Sequence, residues 1–263
     1  MNEERAAEIE AKIKDHLFVV AINNSGSSFL TRALSKCQRA IFLRSEGQHV
    51  EGWGGPVPRD ARLSLIWGHS GSEYESVLAD PANYDWEHIK RTWYGAAQMH
   101  DPEHASVFIE KSPPHVARVA LLDEAFPGAK YVFLVRNPYA IVESIGRRRP
   151  RLRRFAKVAA EHVLTCLRLQ KHNAETFERS ILLRYEDMCA DPQAAQRAIT
   201  GLVPALDDVN LDQRIRVKRI YDEKLRDMNE DHISRLPPAL IPRLSEHFEK
   251  ERELLEHFGY EIL

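Results

Sequence analysis

An α/β fold of the P-loop-like, three-layer αβα kind, with a central parallel sheet, is what this 263-residue sequence predicts. Three observations carry the prediction. Short apolar runs alternate with helical patterns along the chain, the signature of a parallel sheet covered on both faces. Each run stops at a polar turn. The first turn, Asn23-Asn-Ser-Gly-Ser-Ser28, joins a β-branched run to an amphipathic helix. Such a bend gathers backbone N–H groups and the positive end of a helix around one point, which suits a phosphate or sulfate.

Taken in order, residues 2–14 read as a short charged helix and 16–22 as the first strand. The helix starting near Ser27 sets Phe29, Leu30, Ala33 and Leu34 on one apolar stripe. Residues 40–43 form a second, short strand. From 45 to 80 the chemistry is that of loops, with Gly52-Trp-Gly-Gly-Pro56 and Gly68-His-Ser-Gly71. That is too long for a plain connection, so a substrate-facing insertion is expected around 45–100, including a helix over 86–99. Three further buried strands follow at 106–109, 130–135 and 180–183. The chain after Leu211 reads as helical, with Pro237-Pro238 opening a last helix that runs to about His257. With no internal repeat and no linker, residues 1–263 are expected to form one domain.

Composition narrows the function classes. An apolar share of 43%, a charged share of 29% and a net charge of −2 are ordinary for a globular protein. A chain of this size buries roughly three quarters of its unfolded surface and needs no disulfide or metal staple. Cys37, Cys166 and Cys189 are too few and scattered for a disulfide framework, and no C-x-x-C pair suggests zinc. They read as thiols of a reducing compartment. The N-terminus is charged, without an apolar signal region, and no apolar run approaches the ~20 residues of a membrane span. A cytoplasmic protein is the expectation.

In a parallel sheet, ligands bind outside the carboxyl ends of the strands. The candidate functional residues fall there: 23–28, Ser45-Glu46, Glu110-Lys111-Ser112, Arg136-Asn137-Pro138 and Arg184-Tyr-Glu-Asp187. The first turn lacks the Walker lysine and second glycine, and alone it reads equally as an ordinary βα loop. The hydroxyls of Ser25, Ser27 and Ser28 add donors to it. Arg136 offers a planar fork for a phosphate, and Ser144, eight residues on, returns a hydroxyl toward the strand end. Lys111 points a cation into the same rim, where it suits a developing negative charge. Arginine paired with a surface carboxylate, and a Glu110–Lys111 surface pair, are the plainer alternatives.

Ser25-Gly-Ser-Ser, Glu-Lys-Ser-Pro113, Arg136-Asn-Pro with Ser144, and Arg184-Tyr-Glu-Asp-Met occur in this order. Together with Asp227-Met-Asn and Phe258-Gly-Tyr-Glu-Ile they span nearly the whole chain. In this the sequence resembles the sulfotransferases that use 3′-phosphoadenosine 5′-phosphosulfate (PAPS), in their bacterial, tyrosylprotein- and carbohydrate-type branch. The resemblance implies that Asn24, Ser25, Gly26, Ser27, Ser28 and Phe29 hold the 5′-phosphosulfate. It implies that Arg136 and Ser144, with Arg148, hold the 3′-phosphate. Lys111 and Ser28 would act on the sulfuryl group, and Glu46 would be the general base, with His49 and His115 as alternatives. PAPS is then the co-substrate, and no metal is required. One departure stands out: Asn24 replaces the Lys or Arg usual before the Ser-Gly of the loop. A lost cation in a transfer site costs ~2.7–4 kcal/mol by analogy with oxyanion donors.

The implied reaction is in-line transfer of a sulfuryl group to a hydroxyl or amine. A kinase-like P-loop protein and a non-catalytic nucleotide-binding protein on the same scaffold are the alternatives. The acceptor, a small molecule, sugar or peptide, is set by loop shape. Trp53, Trp67, Trp86 and Trp93, with Tyr74, Tyr84 and Tyr94, are either core or the wall of an acceptor pocket. Arg147 to Arg154 holds six arginines in eight positions. It reads as a solvated helix face or as a steering patch for an anionic ligand, and without interleaved aromatics nucleic acid is disfavoured.

Overall fold

The computed structural model describes residues 3–56, 65–69, 73–148, 156–217 and 221–263. Its centre is a six-stranded sheet of β1 (Asp15–Ala21), β2 (Ala40–Phe42), β3 (Gln98–Met99), β4 (Val107–Glu110), β5 (Lys130–Val135) and β6 (Ser180–Arg184). The spatial order is β3-β2-β4-β1-β5-β6. All neighbouring pairs are parallel except β2 with β3. The five strands read from the sequence are present. The sheet is mixed rather than purely parallel because the chain turns back along β2 at 98–99, just past the helix Trp86–Ala96, which is shorter than expected.

Alternation along β1 sorts the core into two layers. Leu17, Val19 and Ala21 face Leu30, Ala33 and Leu34 of the helix Ser27–Leu34, with Met188 and Ile199 beyond. Phe18, Val20 and Ile22 face Trp93, Phe126, Val163 and Leu167 on the other side. The period of two in the strand and the stripe on the helix are the physical cause of the three-layer arrangement. Two readings of the C-terminal part are corrected. A small antiparallel pair, Ile215–Val217 with Tyr221–Glu223, stands where helix was expected. The final helical stretch begins at Ile241, not at Pro237-Pro238, and breaks into Ile241–Phe248, a 3-10 turn and Arg252–His257. Pro242 sits in the first turn of the first of these, where its missing N–H costs nothing.

The aromatic residues of the 45–100 segment serve the core. Trp67 and Trp93 are fully buried, Tyr84 and Tyr94 nearly so. Trp53 stacks on Trp93 at 5.5 Å, and Tyr84 on Trp86 at 4.9 Å. No helix among the described residues is long and apolar enough to cross a membrane. The three cysteines are unbridged.

Candidate active site

β1 lies between β4 and β5, so its C-terminal bend is flanked by Lys111 on one side and Arg136 on the other. The bend owes its shape to two residues with left-handed backbone, Asn24 (φ 69°) and Gly26 (φ 89°). Asparagine tolerates that region better than most side chains. Glycine is required at 26 for a second reason: a Cβ there would lie 2.6 Å from Cδ2 of Tyr185. The Ser25 hydroxyl is turned inward and donates to the Ile22 carbonyl at 2.7 Å, so it braces the bend rather than facing its mouth. Asn24 Nδ2 is buried without a hydrogen-bond partner.

Arg136 closes the other side. Its Nη1 donates to the Asn24 carbonyl at 2.8 Å and its Nε to Asn229 Oδ1 at 2.8 Å. Its Nη2 lies 3.2 Å from Nδ1 of His232, and its guanidinium stands over the Tyr185 ring at 4.3 Å. Burial lowers its pKa, and Tyr185, Glu186 and Asp227 oppose that shift. Glu186 Oε1 accepts from the Asn137 amide at 2.8 Å and from Asn229 Nδ2 at 2.7 Å, and Tyr185 donates to the Arg226 carbonyl at 2.6 Å. Within the Arg-Tyr-Glu segment, Tyr185 and Glu186 therefore support Arg136, and Tyr185 also faces the cavity. Asn137 Oδ1 accepts from the amides of Tyr139 and Ala140, and with Pro138 it starts the helix Pro138–Arg148 at the strand end.

Between these groups lies a cavity of about 390 Å³. Asn24, Gly26, Ser27, Ser28 and Phe29 line one part, and Arg136, Ser144 and Arg148 another. Tyr185, Lys224, Arg226, Met228 and His232 complete much of the rest. The orphaned Asn24 amide, the cations and the space over Gly26 fit a ligand with two anionic ends. His232 carries no signal in the sequence, and Asn229 stands in the Asp227-Met-Asn motif without a role that spacing could assign.

Glu46 and Lys111 are outside that lining and meet each other on the neighbouring strand ends. Lys111 Nζ is 2.5 Å from Glu46 Oε1. Gln48 Nε2 donates to Glu46 Oε2 at 2.8 Å, and His49 Nε2 is 3.5 Å from the same oxygen. Lys111 is 8% exposed and Glu46 26%, which leaves the carboxylate the more accessible partner. The loop carrying Glu46 hangs on a buried chain. Glu110 Oε1 accepts from the Gly47 amide at 2.6 Å and from the Ser112 hydroxyl at 2.7 Å. Glu110 Oε2 accepts from Nε2 of His115, and His115 Nδ1 accepts from Arg118 Nε at 2.8 Å. Because guanidinium only donates, the His115 proton sits on Nε2 and the ring is neutral. Burial lowers its pKa in the same sense. His115, fully buried, is thus a structural link and not an accessible base.

Of the arginine cluster, Arg147 and Arg148 end the helix Pro138–Arg148 and line the cavity. The remainder, 149–154, lies outside the described residues. Among the described residues no group of three His, Cys, Asp or Glu side chains comes together to hold a metal ion.

The rim at the strand ends of this α/β sheet thus carries a glycine bend, a buried arginine at the adjacent strand end and a carboxylate–lysine pair. Residues 16–203 match the model of the sulfotransferase family, and the chain belongs to that family. It is 28% identical over 152 residues to omega-hydroxy-beta-dihydromenaquinone-9 sulfotransferase Stf3 of Mycobacterium bovis, and equally to that of Mycobacterium tuberculosis. The aligned stretch is 52% of this chain but 39% of those relatives. In fold the chain is similar to the sulfotransferase domain of the Synechococcus PCC 7002 olefin synthase (TM-score 0.57, 23% identity, 96% of this chain and 97% of that one). It is also similar in fold to a sulfotransferase from Alicyclobacillus acidocaldarius (TM-score 0.57, 14% identity, 93% and 95%).

Proposed function

We propose that the protein transfers a sulfuryl group from PAPS to a hydroxyl acceptor. The observation that carries this reading is the contact between Arg136 and the Asn24 carbonyl at 2.8 Å, which puts the glycine bend and the candidate 3′-phosphate residues on one cavity. The donor brings the activated sulfuryl group; transfer forms an S–O bond to the acceptor, breaks the bridging S–O bond and leaves adenosine 3′,5′-bisphosphate.

The chain supplies placement and charge. Backbone amides of the bend and the Ser27 and Ser28 hydroxyls take the 5′-phosphosulfate, and the Asn24 amide, unpartnered in the free protein, gives one donor where a cation is usual. Arg136, Ser144 and Arg148 take the 3′-phosphate. Lys111 turns from Glu46 toward the sulfuryl oxygens, and the freed Glu46 carboxylate accepts the acceptor's proton. The mouth of the 45–100 segment near Glu46, Gln48 and His49 takes the acceptor. The mycobacterial relatives are named for an omega-hydroxylated compound, which fits a hydroxyl acceptor here.

Titration of the protein with adenosine 3′,5′-bisphosphate and with ATP plus magnesium, followed by turnover of PAPS over an acceptor panel, tests the reading. Glu46→Gln and Lys111→Ala each lower kcat about 10²–10³-fold and leave bisphosphate affinity within about threefold. Preference for ATP with magnesium, or full turnover in both variants, overturns it.

A further inference from the structure

No neutral tautomer of His232 accepts from both guanidinium groups that face it. The ring is 7% exposed and stands between Arg136 and Ser144. Its Nδ1 lies 3.2 Å from Arg136 Nη2 and 3.1 Å from the Ser144 hydroxyl. Its Nε2 lies 3.4 Å from Arg147 Nη2. Both ring nitrogens thus face guanidinium donors, whereas a neutral imidazole has only one acceptor nitrogen. If Nδ1 accepts from Arg136, the Nε2–H points at another N–H. An acceptor placed at the Arg147 side removes that conflict, and a phosphate consists of acceptors on every side.

A second, independent feature points the same way. Glu143, on the helix Pro138–Arg148, is 2% exposed and neither carboxylate oxygen has a hydrogen-bond partner. Its Oε2 is 3.8 Å from His232 Nδ1, and its Oε1 is 3.4 Å from Arg147 Nε. A buried carboxylate without donors is costly, and a proton on Nδ1 would supply one.

We propose that His232 is a nucleotide-binding residue that takes up one proton as the 3′-phosphate enters, donating Nδ1–H to Glu143 and Nε2–H to the phosphate. Arg136 and Ser144 leave Nδ1 for the phosphate oxygens, and solvent supplies the proton. This rests on the donor-site reading given above. The charged groups around the ring act in opposite directions. In the free protein, burial and then Arg136, Arg147 and Arg235 hold its pKa down at about 4, with Asp231 opposing. Glu143 faces it from the neighbouring helix. A dianion at the cavity offsets the two arginines it pairs with, which lets Glu143 and Asp231 favour the charged ring. Linkage then makes nucleotide affinity fall as pH rises through the pKa of the complex.

Calorimetric titration of the whole chain with adenosine 3′,5′-bisphosphate, in two buffers of different ionisation enthalpy, reads the proton directly. A phosphate monoester has its second pKa near about 6, so work at about pH 7.5 keeps the ligand's own protons out of the result. The wild type takes up close to one proton per nucleotide, and His232→Asn takes up none. At about pH 6.5, His232→Asn and Glu143→Gln weaken bisphosphate binding about tenfold or more, with the gap narrowing by about pH 8.5. Adenosine 5′-monophosphate, which lacks the 3′-phosphate, binds wild type and variants alike. Equal proton uptake in wild type and His232→Asn, or equal losses for both nucleotides, overturns the proposal. If His232→Asn does not fold, the wild-type buffer pair alone decides, since absence of uptake there is sufficient. A wild type that binds no bisphosphate overturns the donor-site reading itself, a separate result.

Discussion

On the β5 side of the bend, Arg136 is fixed by partners from four places: the Asn24 carbonyl, Asn229, His232 and the Tyr185 ring. On the β4 side, Lys111 has one hydrogen-bonded partner among the described residues, Glu46, and that carboxylate rides on a loop tied by the Gly47 amide to the buried Glu110. The first arrangement is a lattice of several partners around one guanidinium. The second is an ion pair whose lysine an incoming anion can compete for. A preorganised cradle suits a ligand that must be held the same way in every turnover, whereas an exchangeable pair suits chemistry that redistributes charge during the reaction.

The contrast can be broken most forcefully at Arg136. Arg136→Lys keeps the charge but loses the fork and the stacked plane. Nucleotide affinity falls about 10²-fold, and the melting temperature drops because Asn229 and the Asn24 carbonyl each lose a donor. Calorimetry and a thermal melt check both. Glycine-to-alanine changes on the two sides come next. At Gly26 a Cβ meets Tyr185 at 2.6 Å on a left-handed backbone; at Gly47 it meets Glu110 Oε1 and the Trp93 ring at 2.7 Å with no such backbone demand. Each costs about 1–3 kcal/mol in denaturant unfolding. Gly26→Ala also weakens bisphosphate binding, whereas Gly47→Ala spares it and lowers kcat; equal effects on binding would erase the distinction.

The smallest effect is read in acid. His162 is fully buried beneath the 45–100 segment, where its Nδ1 accepts from the Gly68 amide at 3.0 Å, and burial lowers its pKa from 6.5 to about 3. The unfolded chain therefore binds the proton first, so stability contributed by the neutral ring is whole above pH 6.5 and is lost as pH falls toward 3. One pH unit below 6.5, this residue removes about 1.4 kcal/mol. Urea titrations at a series of pH values show that loss in the wild type and a shallower slope in His162→Gln.

The same contrast explains what the sequence made legible. The bend and its β5 flank are built from short contiguous stretches, Ser25-Gly-Ser-Ser and Arg136-Asn-Pro, each at a strand end, so order and alternation were enough to group them. The roles of Asn229 and His232 escaped because their helix, Asn229–Ile233, is five residues long and meets Arg136 only through tertiary packing. The inward turn of Ser25 escaped because spacing does not report which way a hydroxyl points. On the other side, the aromatic residues read equally as core or as pocket wall, and burial decided for core at Trp67 and Trp93. β3 was hidden by its length of two residues at the end of a helical pattern. The antiparallel pair Ile215–Val217 with Tyr221–Glu223 was hidden because each strand is only three residues long.

Tyr185 lies beneath both the glycine of the bend and the guanidinium of Arg136. One aromatic plane therefore limits what can stand at position 26 and seats the side chain at 136. Altering the cavity to admit a different ligand thus begins under it. A roomier bend calls for a slimmer residue at 185, and slimming 185 unseats the arginine, so the two ends of the cradle change together or not at all.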